Sequence, residues 1–264
     1  MIPIVVVGAA GRMGRAVVET AMADPGFNVK AGVDRAPCPK DWDRKLPFVD
    51  DAGKVLARGD VVVEFAGPEG AVDAARAAAR SGAALVSGGT GLSGPQEQAL
   101  RAAADSIAIL RSANFSLGIL ALRQALKAVL SAIPAWDIEI VEKHHRNKQD
   151  SPSGTALTLA RDAASARGYP ASSLRHGRDG HVGVRPVEEI GVHAVRGGSW
   201  VGEHTVMLAG PGESLELRHV AQDRVAFARG ALTAAEFLAH AQPGLYTFED
   251  VLRAAARSEG GRLT

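Results

Sequence analysis

Short β-branched runs, each closing on a glycine or a turn, alternate with alanine-rich amphipathic stretches from the first residues to Leu110. Few folds accept that pattern. Ile2–Val7 reads as a buried strand, with Pro3 tolerable because it lies near the start. The spacing then predicts a helix over Arg12–Ala23 and strands over Asn28–Val33 and Val61–Phe65. A helix over Glu69–Ser81 closed by Gly82, a strand over Ala83–Val86, a helix over Gln96–Ala104 and a strand over Ile107–Leu110 continue the series. Strand, helix, strand repeated in this way points to an α/β fold with a doubly wound parallel sheet.

The rhythm changes after Asn114. A helix over Leu117–Ala132 stops before Pro134, a strand over Asp137–Val141 follows, and a helix is predicted over Thr155–Ala166. Leu174–Glu189 is rich in Gly, Arg and His without periodicity and reads as a mobile loop. Strands over Gly191–Val195, Val201–Leu208 and Ser214–Val220 are separated by Gly197-Gly198 and Gly210-Pro211-Gly212, which suggests antiparallel hairpins. Residues 1–115 are thus expected to form one domain and 116–224 a second, α+β domain with a mixed sheet. The helical end, 225–264, is expected to pack back on the first.

The formal net charge of +1 supplies no global field for nucleic acid or an anionic membrane, so any anion preference must be local. A single cysteine, Cys38, excludes an internal disulfide and fits a reducing compartment. No apolar run is long enough to span a bilayer and no signal peptide is evident. These features suggest a cytoplasmic location.

Gly8-Ala9-Ala10-Gly11-Arg12-Met13-Gly14 falls between a predicted strand and a predicted helix. Glycines there permit a tight turn and let a pyrophosphate approach the backbone and the positive end of the helix. The spacing is looser than the strict dinucleotide fingerprint, but Asp34, twenty residues past Gly14, could bind the adenosine ribose. Arg35 beside it could hold a 2′-phosphate, so use of both NADH and NADPH is expected. Gly67-Pro68, Gly88-Gly89-Thr90-Gly91 and Ser112-Ala113-Asn114-Phe115 each follow a predicted parallel strand, where ligands of such sheets bind.

The densest chemistry lies in Glu139–Ala156, which holds His144, His145, Arg146, Lys148 and a Pro-Ser-Gly-Thr turn. Lys148, Arg146 and the N–H groups of a helix opening after Ser153 could hold carboxylates, and His144, His145 and Lys148 are candidate proton donors. The adjacent histidines lack the spacing of a metal-binding helix, so no metal is expected. The basic run lacks interleaved aromatics, which argues against nucleic acid. The other histidines, His204 among them, read as structural.

Glu139-x-x-Glu142-x-His144-His145-x-x-Lys148-x-Asp150-x-Pro152-Ser153-Gly154-Thr155-Ala156 resembles the signature of the 4-hydroxy-tetrahydrodipicolinate reductase (dihydrodipicolinate reductase) family of lysine and diaminopimelate biosynthesis. Gly8–Gly14, Asn114-Phe115-Ser116 and Val201-Gly202-Glu203-His204-Thr205 also stand where that family has them. The resemblance implies that Gly8, Ala9, Ala10, Gly11, Arg12 and Met13 hold the cofactor pyrophosphate. It places Asp34 and Arg35 on the ribose, with Gly88, Gly89, Thr90, Ser112, Ala113, Asn114 and Phe115 flanking the nicotinamide. It makes His144 a proton donor and acceptor and Lys148 the proton donor. His145, Ser153, Gly154, Thr155 and Thr90 would hold a small dicarboxylate substrate, in a homotetramer built through the second domain. Two hydroxyls of the family pattern are missing: Gly89 stands within Gly-Thr-Thr-Gly, and Ala66 within Phe-Thr-x-Pro. A reductase of a different imine, or an NAD(P)H sensor without turnover, would be the alternatives.

Overall fold

The computed structural model describes residues 1–42 and 46–258. By contact the chain divides into two compact units, Met1–Ser116 with Arg224–Thr264, and Leu117–Asp223. Residues 259–264, included in the expected C-terminal segment, lie outside the described residues.

The first unit is built on an all-parallel, seven-stranded sheet. Its strands are β1 (Ile2–Val7), β2 (Phe27–Val33), β3 (Phe48–Val49), β4 (Val61–Glu64), β5 (Ala84–Ser87), β6 (Ala108–Arg111) and β12 (Gly244–Tyr246), in the order β12-β6-β5-β4-β1-β2-β3. The chain winds outward from β1 in one direction and from β4 in the other, so the turn after β1 lies where the strand order reverses. Helices α2 (Gly67–Ser81) and α3 (Gly94–Ala103) pack against each other, and α2 also lies on β4 and β5. The small face of α2 (Ala74, Ala75, Ala77, Ala78) meets Val5, Val62, Leu85 and Ile109. Gly82 ends α2 in the left-handed conformation, as its position in the sequence predicts.

The helical end of the chain packs within this unit. Helix α6 (Val225–Leu238) lies against α1 (Arg12–Met22) and strands β4 to β6, and α7 (Phe248–Ser258) lies against α6. The short strand β12 was not evident in the sequence, because three residues, Gly244–Tyr246, carry no readable period.

The second unit holds a five-stranded mixed sheet of β7 (Asp137–His144), β8 (Leu174–His176), β9 (Ile190–Arg196), β10 (Gly202–Gly210) and β11 (Glu213–Ala221), ordered β11-β10-β7-β9-β8. Helices α4 (Leu117–Ala132) and α5 (Gly154–Arg167) pack together, and their apolar residues share a core with the sheet. Leu126, Ile138, Ile140 and Leu159 are fully enclosed there, worth about 1.5–3 kcal/mol each.

Two expectations are corrected here. Only β10 and β11 form an antiparallel hairpin; β9 and β10 do not pair, because β7 lies between them, parallel to β9 and antiparallel to β10. The Gly197-Gly198 turn instead crosses the end of β7, where Gly197 N–H donates to His144 C=O and His145 N–H to Trp200 C=O. Leu174–Glu189 is also not a free loop. It contributes β8, Arg178 pairs with Glu139 and Glu189, and Arg185 pairs with Asp137 and Glu139. Burial would raise Glu139, but hydrogen bonds from Arg178, His193 and Arg185 hold its carboxyl at about 2.

Candidate active site

The residues singled out in the first unit all lie just past the C-terminal ends of its strands. The glycine turn carries the chain from β1 into α1 with no side chain filling the bend. Gly8 has φ +80, and a Cβ there would stand 2.8 Å from the Phe65 carbonyl; one at Gly14 would meet the Gly8 oxygen at 2.1 Å. Gly11 is the extended N-cap residue of α1, so that helix opens toward the turn without a side-chain cap. The first N–H groups of a helix have no intrahelical acceptor and favour an anion.

A cavity of about 750 Å³ adjoins this turn, bounded by Gly8, Gly11, Asp34, Arg35 and Phe65 and by Asp73, Arg76 and Arg80 of α2. Its volume and its backbone cradle suit the adenosine and pyrophosphate of a dinucleotide. Asp34 is more committed than the sequence suggests. Its carboxylate accepts Ala10 N–H at 3.0 Å and Ala36 N–H at 2.9 Å, so it braces the glycine turn from β2. Arg35 is exposed and pairs with Asp73 at 3.4 Å. Gly88, Gly89 and Thr90 follow β5, and Ser112–Phe115 follow β6. In the latter turn Ser112 Oγ donates to Asn114 C=O at 2.7 Å, and Asn114 Oδ1 accepts Ser116 N–H at 2.8 Å. The Phe115 ring is core, edge-on to Phe65 and Phe248, so only its backbone can face a ligand.

In the second unit the chemistry gathers where β7 ends and α5 begins. The buried face of β7 carries Ile138, Ile140, Glu142 and His144 in period two. Glu142 is fully enclosed. Its Oε2 stands 2.5 Å from His144 Nδ1, its Oε1 accepts Ser153 N–H at 2.9 Å, and Arg196 from β9 grips both oxygens at 2.7 and 2.8 Å. Burial would raise this carboxyl, but hydrogen bonds from His144, Arg196 and Ser153 outweigh it and hold it at about 2. An ionised Glu142 keeps the proton on His144 Nδ1, which makes Nε2 the nitrogen open to exchange.

Ser153 caps α5, accepting Ala156 N–H at 3.2 Å, and Gly154 and Thr155 form the helix's first turn. Lys148 lies in the turn between β7 and α5, its N–H bonded to His145 C=O and its Nζ 2.8 Å from Asp150 Oδ1. The Arg146 side chain is exposed, and the guanidinium built into the cluster is that of Arg196. His204, read in the sequence as structural, is buried and hydrogen-bonded beside this cluster. Antiparallel pairing sets it opposite Glu142, its Nε2 is 3.1 Å from Ser153 Oγ, and its ring packs edge-on to His144. Burial first, and the neighbouring His144 second, push it down to about 3, so it is neutral at physiological pH.

A doubly wound sheet with a glycine turn at its switch point and this cavity beside it marks the chain as a dinucleotide-binding protein. Comparison with known proteins narrows the class. The family model for dihydrodipicolinate reductase, N-terminus, matches residues 2–115, and that for dihydrodipicolinate reductase, C-terminus, matches residues 118–252. The chain belongs to the dihydrodipicolinate reductase family. It is 40% identical over 264 residues to a 4-hydroxy-tetrahydrodipicolinate reductase of Anaeromyxobacter dehalogenans (strain 2CP-C), covering 96% of this chain and 98% of the relative. It is 42% identical over 253 residues to one from Caldanaerobacter subterraneus subsp. tengcongensis, covering 96% and 99%. The fold is shared with a dipicolinate-bound dihydrodipicolinate reductase from Paenisporosarcina sp. TG-14, at 22% identity and a TM-score of 0.73 over 94% of this chain and 97% of that one.

Proposed function

We propose that this chain reduces 4-hydroxy-tetrahydrodipicolinate to tetrahydrodipicolinate, as a step of lysine and diaminopimelate biosynthesis. The observation that carries this reading is the junction of β7 and α5, where a buried carboxylate holds one imidazole and a helix cap together beside Lys148. The names of the full-length relatives support it.

The first unit, Met1–Ser116 with the helical end, binds the cofactor; the second, Leu117–Asp223, binds the dicarboxylate and supplies the proton. Bound in the first unit, NADH or NADPH would supply the hydride for the carbon conjugated with the ring imine. With one proton taken up and water lost from the substrate, the products are tetrahydrodipicolinate, NAD(P)⁺ and water. The chain's own residues then have defined tasks. Gly8–Met13 cradle the pyrophosphate, Asp34 and Arg35 hold the ribose, and the turns at Gly88–Thr90 and Ser112–Phe115 flank the nicotinamide. His145, Ser153, Gly154 and Thr155 neutralise and orient the carboxylates. Lys148 protonates the reduced ring, and His144 exchanges a proton through Nε2. Binding energy is spent on orientation and charge, as suits a reaction whose redox step belongs to the cofactor. A homotetramer in the cytoplasm goes with this reading, and light scattering checks the assembly.

The test is oxidation of NADH and NADPH with substrate freshly formed from pyruvate and aspartate semialdehyde. Rapid turnover is expected. Cofactor binding without turnover would overturn the reading in favour of a sensor, and faster turnover of another imine would reassign the substrate. Cofactor choice has its own test. Arg35→Ala should raise KM for NADPH roughly tenfold, the cost of one charge-assisted hydrogen bond, and leave KM for NADH unchanged. An unaltered NADPH to NADH ratio would remove Arg35 from the 2′-phosphate site.

A further inference from the structure

Glu64 has no part in the reaction described above, yet it is a fully buried carboxylate at the end of β4. Among the described residues no cation pairs with it. Instead it is ringed by donors: Ala66 N–H at 2.5 Å on Oε1, Ser87 Oγ–H at 2.8 Å on Oε2, and the N–H groups of Gly67 and Gly89. Burial pushes its carboxyl up while these four donors oppose the rise. The backbone N–H groups facing it can only donate, whereas Ser87 Oγ can donate to a carboxylate or accept from a carboxylic acid, so the site holds the side chain in either form.

These donors come from two separate turns. Ala66 and Gly67 begin α2, whose N-cap residue Ala66 has no side chain able to cap the helix. Glu64 supplies the missing cap and sets a negative charge at the positive end of a fifteen-residue helix. Gly89 lies in the turn after β5. A Cβ at Gly89 would stand 3.3 Å from Glu64 Oε2 and 3.2 Å from Ala71 Cβ, so the carboxylate already fills the space a side chain there would need. The two positions at which this chain lacks a hydroxyl, Ala66 and Gly89, therefore give their backbone N–H groups to the same carboxylate.

We propose that Glu64 is a positioning residue for the nicotinamide end of the cofactor, clamping the Ala66–Gly67 turn to the Gly88–Gly91 turn through one buried carboxylate. This rests on the reading of the Gly88–Thr90 turn as a flank of the nicotinamide. The clamp acts on where the cofactor ring sits and does not involve His145, Ser153, Gly154 or Thr155, the dicarboxylate residues of the second unit; of the residues expected to hold the dicarboxylate, Thr90 alone shares the clamped turn.

Glu64→Gln tests it, because the amide keeps the shape but turns an NH₂ group toward donors. The full chain is titrated with NADH by fluorescence and with dipicolinate by calorimetry, and steady-state kinetics and thermal melting accompany both. The variant should bind NADH at least tenfold more weakly and show a raised KM for NADH, with dipicolinate affinity within twofold of the parent. Ser87→Ala, which removes a single donor, should shift NADH in the same direction by less. Unchanged NADH affinity, with or without a lowered melting temperature, would reduce Glu64 to a structural residue and overturn the proposal. Equal losses for NADH and dipicolinate would overturn it too, by showing a general disruption. Failure of the parent to turn over the dicarboxylate while binding NADH would instead refute the substrate reading, and the NADH titration would still judge Glu64.

Discussion

Lys148→Ala should lower kcat by a factor of roughly 10² to 10⁴, the usual contribution of a positioned general acid, while leaving NADH affinity unchanged. The side chain is about one-fifth exposed and its Nζ is held by Asp150 at 2.8 Å, so its ammonium is aimed by a partner that itself reaches solvent. The same partnership keeps Asp150 ionised: burial would raise its carboxyl, but the hydrogen bond and charge of Lys148 lower it. None of the residues bounding the cofactor cavity belongs to the Lys148 segment, and that is why NADH binding is the control. Loss of kcat with equal loss of NADH affinity would indicate a folding defect. A normal kcat would end the assignment of Lys148 as the proton donor.

Most of the first unit was legible in the sequence because its elements are governed by local patterns. Buried parallel strands read as unbroken Val and Ile runs, Gly82 marked the end of α2, and Gly8–Gly14 marked the turn into α1. The second unit was less legible because its arrangement depends on distant pairings. The Gly197-Gly198 turn looks like a hairpin, and nothing local says that β7 will insert between β9 and β10. The site was half visible for a related reason. A strand ending at Val141 hides the fact that Glu142 and His144 continue the inward face of Ile138 and Ile140. Extending the period of two by three residues would have exposed a buried carboxylate beside a buried imidazole. Arg196 and His204 had no such local signal, since each reaches Glu142 or Ser153 only through sheet register. Glu64 was hidden because it closes an apolar strand, and its partners lie on two turns.

Glu142→Gln should damage both stability and catalysis, by separable amounts. The carboxylate accepts from His144, Ser153 and both terminal nitrogens of Arg196, and a carboxamide can serve only part of that set. Breaking one side of a buried pair costs about 3–5 kcal/mol, and Arg196 keeps one-fifth of its side chain in water, so the lower end, about 3 kcal/mol, is expected. The direction of the pH effect follows from the depressed carboxyl. Glu142 falls from 4.5 to about 2 on folding, so its contribution is complete above the unfolded value and is lost as pH drops from about 4.5 through about 2. The parent's urea midpoint should decline across that window. The variant should decline less steeply, though not flatly, because Glu139 is held at about 2 in the same unit and titrates alongside. Catalysis should suffer in a different way. Without an ionised partner at Nδ1 the His144 ring loses both its orientation and its fixed tautomer, and kcat should fall roughly 10²-fold, at the low end for a positioned proton-transfer group. Arg196→Met separates the two effects, since it removes a cation from Glu142 and leaves the Glu142–His144 contact in place. That variant should lose stability with little change in kcat. If both variants lose kcat equally, Glu142 acts by holding the β7–α5 junction together, and the tautomer argument for His144 fails.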